Sequence, residues 1–178
     1  MPFLEGQINP YDISKPCRTL AEDLCYPETS VISEYLDQPW VRETLGVADR
    51  VGPFKSCSPK VAKAFRATND ELFPTFYHLT GLLENDVAIL IYVGTLDWIC
   101  NFIGNYRLVE QLEWSGQDAF KAQHLRKWLG PDGKQAGETK TAGKLTWATI
   151  EHAGHMVPRD QPAASSQMVK RWLANDSL

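Results

Sequence analysis

The chain has 178 residues, of which 43% are hydrophobic and 22% charged, values that suit a single soluble globular domain. The net charge of -4 and the pI of about 5.6 exclude the basic surface typical of a nucleic-acid-binding protein. The longest apolar run, at residues 87–93, is too short to span a bilayer, and residues 1–13 lack the charged and apolar regions of a secretory signal.

The first half of the chain predicts a loop followed by helices. Residues 1–27 are rich in Pro, Asp and Cys, which favours an extended loop. Apolar residues at helical spacing predict a helix that begins near Glu28, and Pro39 opens a second, short helix that ends at Gly46. After a loop, Ser58 is placed to cap a third helix. An apolar-striped helix over residues 71–86, broken or bent near Pro74, follows.

Two segments of the second half predict strands. Residues 87–94 are continuously apolar and rich in β-branched residues, as in a strand that is buried on both faces of an α/β sheet. Residues 145–154 alternate in polarity and predict a strand that leads into a tight turn.

The remaining segments of this half predict helices and one surface loop. A helix is predicted from about Asn101, and an amphipathic helix over residues 118–129, which ends at Gly130-Pro131. Residues 130–143 are turn-rich and predict a surface excursion. The closing helix, residues 162–176, is expected to present Met168, Trp172 and Leu173 as its apolar face.

Each predicted strand is followed by one polar residue with catalytic potential. Asp97 follows the first strand and His155 the second. In α/β sheets, catalytic groups gather beyond the carboxyl ends of the strands, and α/β-hydrolases carry their triad in the order Ser, acid, His. Taken singly, Asp97 also suits a turn or a helix N-cap, and His155 a structural or exposed position. The order and spacing of the residues leave both interpretations open.

The four cysteines are compatible with two redox states. Cys17 and Cys25 flank a short polar loop, whereas Cys57 and Cys100 are isolated. An even count is compatible with two disulfides, but four reduced thiols in a cytosolic protein fit the composition equally well.

Several motifs together resemble the C-terminal part of serine carboxypeptidases of the carboxypeptidase Y type. They are NPYDI (9–13), the Cys17…Cys25 pair before Tyr26-Pro27, YVGTLDWICN (92–101) and AGHMVP (153–158). The resemblance runs through nearly all of the chain. It implies a single partial domain over residues 1–178, namely the last strands and helices of an α/β-hydrolase fold with a mixed, mostly parallel sheet.

The resemblance implies a role for several residues. Asp97 matches the acid and His155 the base of the triad. A substrate pocket is implied by positions that resemble its lining: Tyr11, Tyr26, Ile99, Cys100 and Met156. The tyrosines also suit simple packing beside the cysteine loop.

The resemblance also implies pairings for the cysteines. Cys17 and Cys25 are implied to form a disulfide. Cys57 resembles a cysteine that bridges to the N-terminal part of such enzymes, so we expect it to be unpaired in this chain. No cofactor is implied and no metal is expected, since His152 and His155 have no further ligand in view.

The nucleophile of the family is missing from this sequence. A Gly-x-Ser-Tyr-Gly elbow does not occur, and no serine has the flanking glycines that the tight turn needs. We therefore expect a serine carboxypeptidase that removes C-terminal residues from peptides. This chain supplies Asp97 and His155 to its triad, and the chain in isolation is expected to be inactive. The alternatives are a decayed paralogue or inactive fragment that acts as a binding module, and an esterase or acyltransferase of the same fold.

The expected partners are peptide or protein substrates and the N-terminal part of the enzyme, with no nucleic acid and no membrane. A vacuolar, lysosomal or extracellular location is expected, where disulfides persist. Asn175 begins an Asn-Asp-Ser glycosylation sequon.

Overall fold

The computed structural model describes residues 8–17 and 25–178. The chain divides into two compact units, one of residues 1–7 and 16–73 and the other of residues 8–15 and 74–178. The loop predicted over residues 1–27 falls partly on residues 1–7 and 18–24, which lie outside the described residues. Its described part, residues 8–17, consists of turns and one isolated bridge between Asn9 and Asp12.

The first unit is helical where it is described. Its helices are α1 (Glu28–Leu36), α2 (Pro39–Thr44) and α3 (Pro59–Thr68), followed by a 3-10 turn (Asp70–Leu72). The three predicted helices are confirmed. The hydroxyl oxygen of Ser58 accepts a hydrogen bond from the backbone N–H of Val61, so Ser58 caps α3 as predicted.

The second unit contains a sheet and the remaining helices. Its elements are, in order, α4 (Phe76–Glu84), β1 (Ile89–Gly94), α5 (Phe102–Gln111), α6 (Gln117–Ala122), β2 (Arg126–Leu129), β3 (Gln135–Ala142), β4 (Leu145–Ile150), α7 (Val157–Asp160) and α8 (Pro162–Leu173). The helix predicted across Pro74 is divided there, with α4 beginning two residues later, because a proline removes a helical hydrogen bond.

The four described strands form one mixed sheet in the order β1-β4-β3-β2. β1 pairs with β4 in parallel, with Ile89 opposite Leu145, whereas β4 with β3 and β3 with β2 are antiparallel. The expected mixed sheet is confirmed, but the expectation of a mostly parallel sheet holds only for the β1–β4 pair. The reason is the short connections: two residues, Gly143 and Lys144, join β3 to β4, which permits a hairpin only.

Two sequence predictions between these strands are wrong. The helix predicted over residues 118–129 stops at Ala122 and is followed by β2, and the predicted excursion 130–143 contains β3. Leu125, Trp128 and Leu129 have helical spacing, but Trp128 is buried in the sheet and its indole N–H donates to the carbonyl oxygen of Thr149 at 3.0 Å. Tertiary packing outweighs the local pattern here.

The core lies on both faces of the sheet. All six residues of β4 are buried, so its apparent alternation does not reflect a solvent-exposed face. Trp147 packs with helices α5 and α6 on one face, and Ile150 packs with Met168 of α8 on the other. Of the predicted apolar face of α8, Met168 is fully buried, but Leu173 at the end of the helix is 67% exposed.

In the part of the chain that the structure describes, none of the helices has the length and apolar character that crossing a bilayer requires.

Candidate active site

Asp97 lies in the turn that follows β1. The backbone N–H groups of Thr95 and Leu96 donate to the carbonyl oxygens of Ile150 and Ala153, so this turn is bonded to the end of β4 and the loop beyond it. The side chain of Asp97 is only 3% exposed. Its position follows from the sequence, since the apolar run ends at Gly94 and the chain must turn there.

His155 lies in the loop that follows β4. β1 and β4 are parallel neighbours, so their carboxyl ends lie side by side at the same edge of the sheet. Asp97 and His155 are therefore brought together although 58 residues separate them. The His155 side chain is 41% exposed, in contrast to the buried carboxylate.

The two side chains form a direct hydrogen bond. Nδ1 of His155 lies 2.8 Å from Oδ2 of Asp97. The other carboxylate oxygen of Asp97 accepts a hydrogen bond from the backbone N–H of Cys100 at 2.9 Å, which fixes the orientation of the carboxylate. Because an ionised carboxylate only accepts, Nδ1 carries the proton and Nε2 is left with its lone pair.

This arrangement has the chemistry of an acid–base pair. A buried carboxylate that holds Nδ1–H fixes the tautomer of the imidazole and stabilises the imidazolium that forms when Nε2 takes up a proton. The partly exposed ring leaves Nε2 accessible to a hydroxyl group. What such a pair still needs is a nucleophile within hydrogen-bonding reach of Nε2.

Asp97, Cys100 and His155 also form a group of three potential metal ligands, whose ligand atoms lie within 4.8 Å of one another. Partial desolvation raises the pKa of the Cys100 thiol, and the negative charge of Asp97 raises it further, so the thiol stays protonated at neutral pH. Both carboxylate oxygens of Asp97 already accept hydrogen bonds. These bonds and the protonated thiol favour proton transfer rather than metal binding as the chemistry of this group.

Three of the other predicted pocket residues, Tyr11, Ile99 and Met156, lie in the same unit as this pair. The Tyr11 and His155 rings are 5.4 Å apart between centroids, with a tilt of 55°. Ile99 and Met156 are each about half exposed, and they follow Asp97 and His155 closely in the chain. Tyr26 is buried in the first unit, directly before α1.

The predicted disulfide lies in the first unit. Cys17 and Cys25 are bonded, with their Cα atoms 5.0 Å apart. Cys57 and Cys100 are free thiols on exposed residues.

Residues 9–15, which we call the strap, contact both loops of the site, whereas the sequence analysis predicted only Tyr11 of this segment as a pocket residue. The carbonyl oxygen of Pro10 accepts hydrogen bonds from the N–H groups of Trp98 and Ile99, and that of Tyr11 accepts from the N–H of His155 at 2.7 Å. The strap is therefore bonded to both loops that carry the acid–base pair. The NPYDI motif marked this segment, but nothing local in it indicated these distant partners.

Glycines permit the close approach of these segments. A Cβ atom on Gly154 would lie 2.7 Å from the Cβ of Asp12 and closer still to the carbonyl oxygen of Tyr11. A Cβ on Gly94 would lie 2.7 Å from the carbonyl carbon of Ala153. The contact of the His155 loop with the strap thus requires a residue without a side chain at Gly154, and its contact with the end of β1 requires one at Gly94.

The mixed sheet, with a core on both of its faces, has the architecture of an α/β-hydrolase. A family model described as serine carboxypeptidase matches residues 3–175, so the chain belongs to the serine carboxypeptidase family. Carboxypeptidase Y of Schizosaccharomyces pombe is 40% identical over 173 residues, covering 97% of this chain and 17% of the relative. A serine carboxypeptidase-like protein of Oryza sativa is 42% identical over 171 residues (96% and 38%). A vacuolar serine-type carboxypeptidase of Saccharomyces cerevisiae is 35% identical over 177 residues (98% and 34%).

A solved structure shows the same fold. The crystal structure of Kex1, a prohormone-processing carboxypeptidase from Saccharomyces cerevisiae, superposes with a TM-score of 0.75 at 23% identity, covering 98% of this chain and 38% of that one. The expected α/β-hydrolase fold is thereby confirmed. The chain spans less than two fifths of the length of each of these relatives.

Proposed function

We propose that this chain is the C-terminal segment of a serine carboxypeptidase catalytic domain and supplies the acid, Asp97, and the base, His155, of its triad. The hydrogen bond of 2.8 Å between the buried Asp97 carboxylate and Nδ1 of His155 carries this proposal. The membership of the family supports it. The chain has no serine elbow, so the nucleophile comes from the N-terminal part of the domain, and the isolated 178-residue chain is inactive.

The reaction follows from the direction in which the imidazole points. Nε2 of His155 takes the proton of the serine hydroxyl while the serine oxygen adds to the carbonyl carbon of the last peptide bond. The imidazolium, stabilised by Asp97, then gives this proton to the amine of the departing C-terminal residue. A water molecule, deprotonated in the same way, hydrolyses the acyl-enzyme and restores the serine.

The surroundings of the pair suit a peptide substrate. Ile99 and Met156 present half-exposed apolar side chains, and Tyr11 lies beside the imidazole, so these residues would line a pocket for substrate side chains. Cys100 would form part of the same wall as a protonated thiol. Tyr26 is proposed to join the pocket on the strength of the family resemblance alone.

Two further proposals concern the partner and the location of the chain. The exposed, free Cys57 is available for a disulfide to the N-terminal part of the enzyme. The Cys17–Cys25 disulfide favours an oxidising compartment, and one relative is named as vacuolar, so we propose a vacuolar or extracellular location.

The proposal is tested by labelling an extract of the source organism with a serine-directed fluorophosphonate and sequencing the labelled proteins. We expect peptides of this chain in a labelled species much heavier than 20.1 kDa, or in one that is joined through Cys57 to a second chain. Peptides found only in an unlabelled protein of about 20 kDa would show that the chain is an inactive binding module or a decayed paralogue.

Substrate profiling of the labelled enzyme then separates the hydrolase activities. A carboxypeptidase cleaves peptides with a free C-terminal carboxylate and leaves their amidated counterparts intact, whereas an esterase or acyltransferase prefers ester substrates. In the active enzyme, Asp97→Asn should lower kcat by about 10⁴, because the imidazole loses the correct tautomer. The exposed His124 offers a matched control, and His124→Asn should leave kcat unchanged.

A further inference from the structure

A cluster of three charged side chains joins the strap to the loop that carries His155. Nζ of Lys15 lies 2.6 Å from Oδ2 of Asp12 and 3.2 Å from Oδ1 of Asp160. The two carboxylates are almost fully buried, with 2% and 4% of their side-chain surface exposed, whereas Lys15 is 46% exposed. Arg159 also approaches Oδ1 of Asp160, at 3.3 Å, and Lys15 is the cation that the structure places between both carboxylates.

One carboxylate binds the backbone of the His155 loop directly, and the other follows a residue that does. The second oxygen of Asp160 accepts a hydrogen bond from the backbone N–H of Gly154 at 2.9 Å. Asp12 follows Tyr11, whose carbonyl oxygen accepts from the N–H of His155. The backbone of two consecutive residues, Gly154 and His155, is thus anchored by groups that meet at Lys15.

The charge balance makes the lysine necessary for this arrangement. Two buried carboxylates that share one lysine repel each other when that cation is removed, and each has also lost hydration. The pKa of Asp12 is raised by burial, but hydrogen bonds from Lys15 and Ser14 outweigh this and hold it below the ordinary value. The hydrogen bond to Asp12 raises the pKa of Lys15, which therefore remains charged.

We propose that Lys15 is a positioning residue: by bridging Asp12 and Asp160 it holds the His155 loop against the strap and so keeps the imidazole in its hydrogen bond with Asp97. This inference rests on the proposed function in one respect: the hydrogen bond between His155 and Asp97 serves catalysis only if that function is correct. Without Lys15, the strap and Asp160 separate, the Gly154 and His155 backbone loses its two anchors, and Nδ1 leaves Asp97 more often.

The proposal is tested by NMR on the protein that contains this chain in the source organism, labelled with ¹⁵N-histidine. The observable is the Nδ1–H proton of His155, assigned by its loss in His155→Asn, and the rate at which it exchanges with solvent. We expect Lys15→Met to increase this rate about tenfold, the effect of weakening one charge-assisted hydrogen bond. Lys15→Arg, which keeps the charge, should restore the rate of the unmodified chain.

Lys144→Met is the matched control. Lys144 is 44% exposed and forms an ion pair with Asp86 at 3.2 Å in the same unit, away from the strap. We expect this variant to exchange at the unmodified rate. If Lys15→Met also exchanges at that rate, or if both variants accelerate equally, the positioning role is refuted.

Two more outcomes are decisive. If the amide spectrum shows that Lys15→Met does not fold, Lys15→Gln replaces it, because glutamine keeps an N–H donor but carries no charge. Faster exchange in Lys15→Gln than in Lys144→Met then supports the positioning role, and equal exchange refutes it. If the unmodified chain shows no protected Nδ1–H proton, the hydrogen bond on which the proposal depends is absent in solution and the proposal falls. None of these readings involves the serine, so they are independent of the fluorophosphonate result.

Discussion

A close backbone approach at the candidate site predicts a large effect of one added methyl group, in Gly94→Ala. Gly94 ends β1, three residues before Asp97. The new Cβ would lie 2.7 Å from the carbonyl carbon of Ala153 and closer still to the carbonyl oxygens of Ala153 and Gly154. Ordinary contact begins at 3.4 Å, so the two segments must separate by about 0.7 Å or more.

The magnitude follows from what opposes that separation. The obstructing atoms belong to the backbone, which cannot rotate away as a flexible side chain does. Overpacking of this kind costs about 1–3 kcal/mol. Separation also weakens the bond of 2.8 Å from the N–H of Leu96 to the carbonyl oxygen of Ala153, worth about 1 kcal/mol. We expect Gly94→Ala to lower the free energy of unfolding by about 2–4 kcal/mol.

Gly81→Ala is the control of opposite sign. Gly81 lies in α4 of the same unit, and a Cβ there would meet nothing within 4 Å. Alanine is favoured over glycine inside a helix by about 0.5–1 kcal/mol, so this variant should be more stable than the unmodified chain.

The assay is urea unfolding of the 178-residue chain followed by tryptophan fluorescence. Five of the six tryptophans lie in the unit that contains the sheet, so the signal reports on the unit that contains Gly94. The midpoints should differ in opposite directions at similar slopes, since neither change alters the surface that unfolding exposes. A Gly94→Ala variant as stable as the unmodified chain would refute the reasoning, because the loop would then have room to yield.

Two further predictions concern buried charges. Nζ of Lys140, a residue that is 2% exposed, lies 2.5 Å from a carboxylate oxygen of Glu110. Because Glu110→Ala leaves this buried cation unpaired, it should lower the free energy of unfolding in urea by about 3 kcal/mol, whereas Lys140→Met should lower it clearly less. Equal losses of stability in the two variants would contradict this prediction. The pKa of Asp12, raised by burial but lowered more by its hydrogen bonds, lies below the ordinary 3.8. The ionised Asp12 carboxylate therefore contributes stability above that pH, and this contribution is lost as the pH falls through the folded-state pKa. Asp12→Asn should make the free energy of unfolding fall less steeply below about pH 4. An unchanged decline in the variant would contradict this prediction.

The long helices and the two strands next to the candidate site are readable from local patterns. The apolar run before Gly94 and the segment before Glu151 are confirmed as β1 and β4. Burial on both faces holds for β4, which lies inside the described sheet, but β1 is its edge strand and Tyr92 is exposed. The order acid before base, each after a strand, also predicted that Asp97 and His155 would lie at one edge of the sheet. Their catalytic role stays a prediction.

Local patterns misled where a distant partner decides the structure. The spacing of Leu125, Trp128 and Leu129 suits a helix, and the Gly-rich, polar stretch after it suits a loop. Both form strands because Trp128 fills the core beneath β4, and because Gly137 allows β3 to pass close to the carbonyl oxygen of Thr149. A window of ten residues does not contain the partner on which such an assignment depends.

The sequence by itself determined the family, the two strands next to the site and the two polar residues beyond them, since motifs and periodicity are local properties of the chain. Only the tertiary structure decided that Nδ1 of His155 is hydrogen-bonded to Asp97 and that the strap is hydrogen-bonded to both loops. It likewise decided that Lys15 joins Asp12 to a carboxylate 145 residues away in the chain. Such contacts are set by backbone hydrogen bonds and charge balance between distant segments, which leave no periodic trace in the sequence.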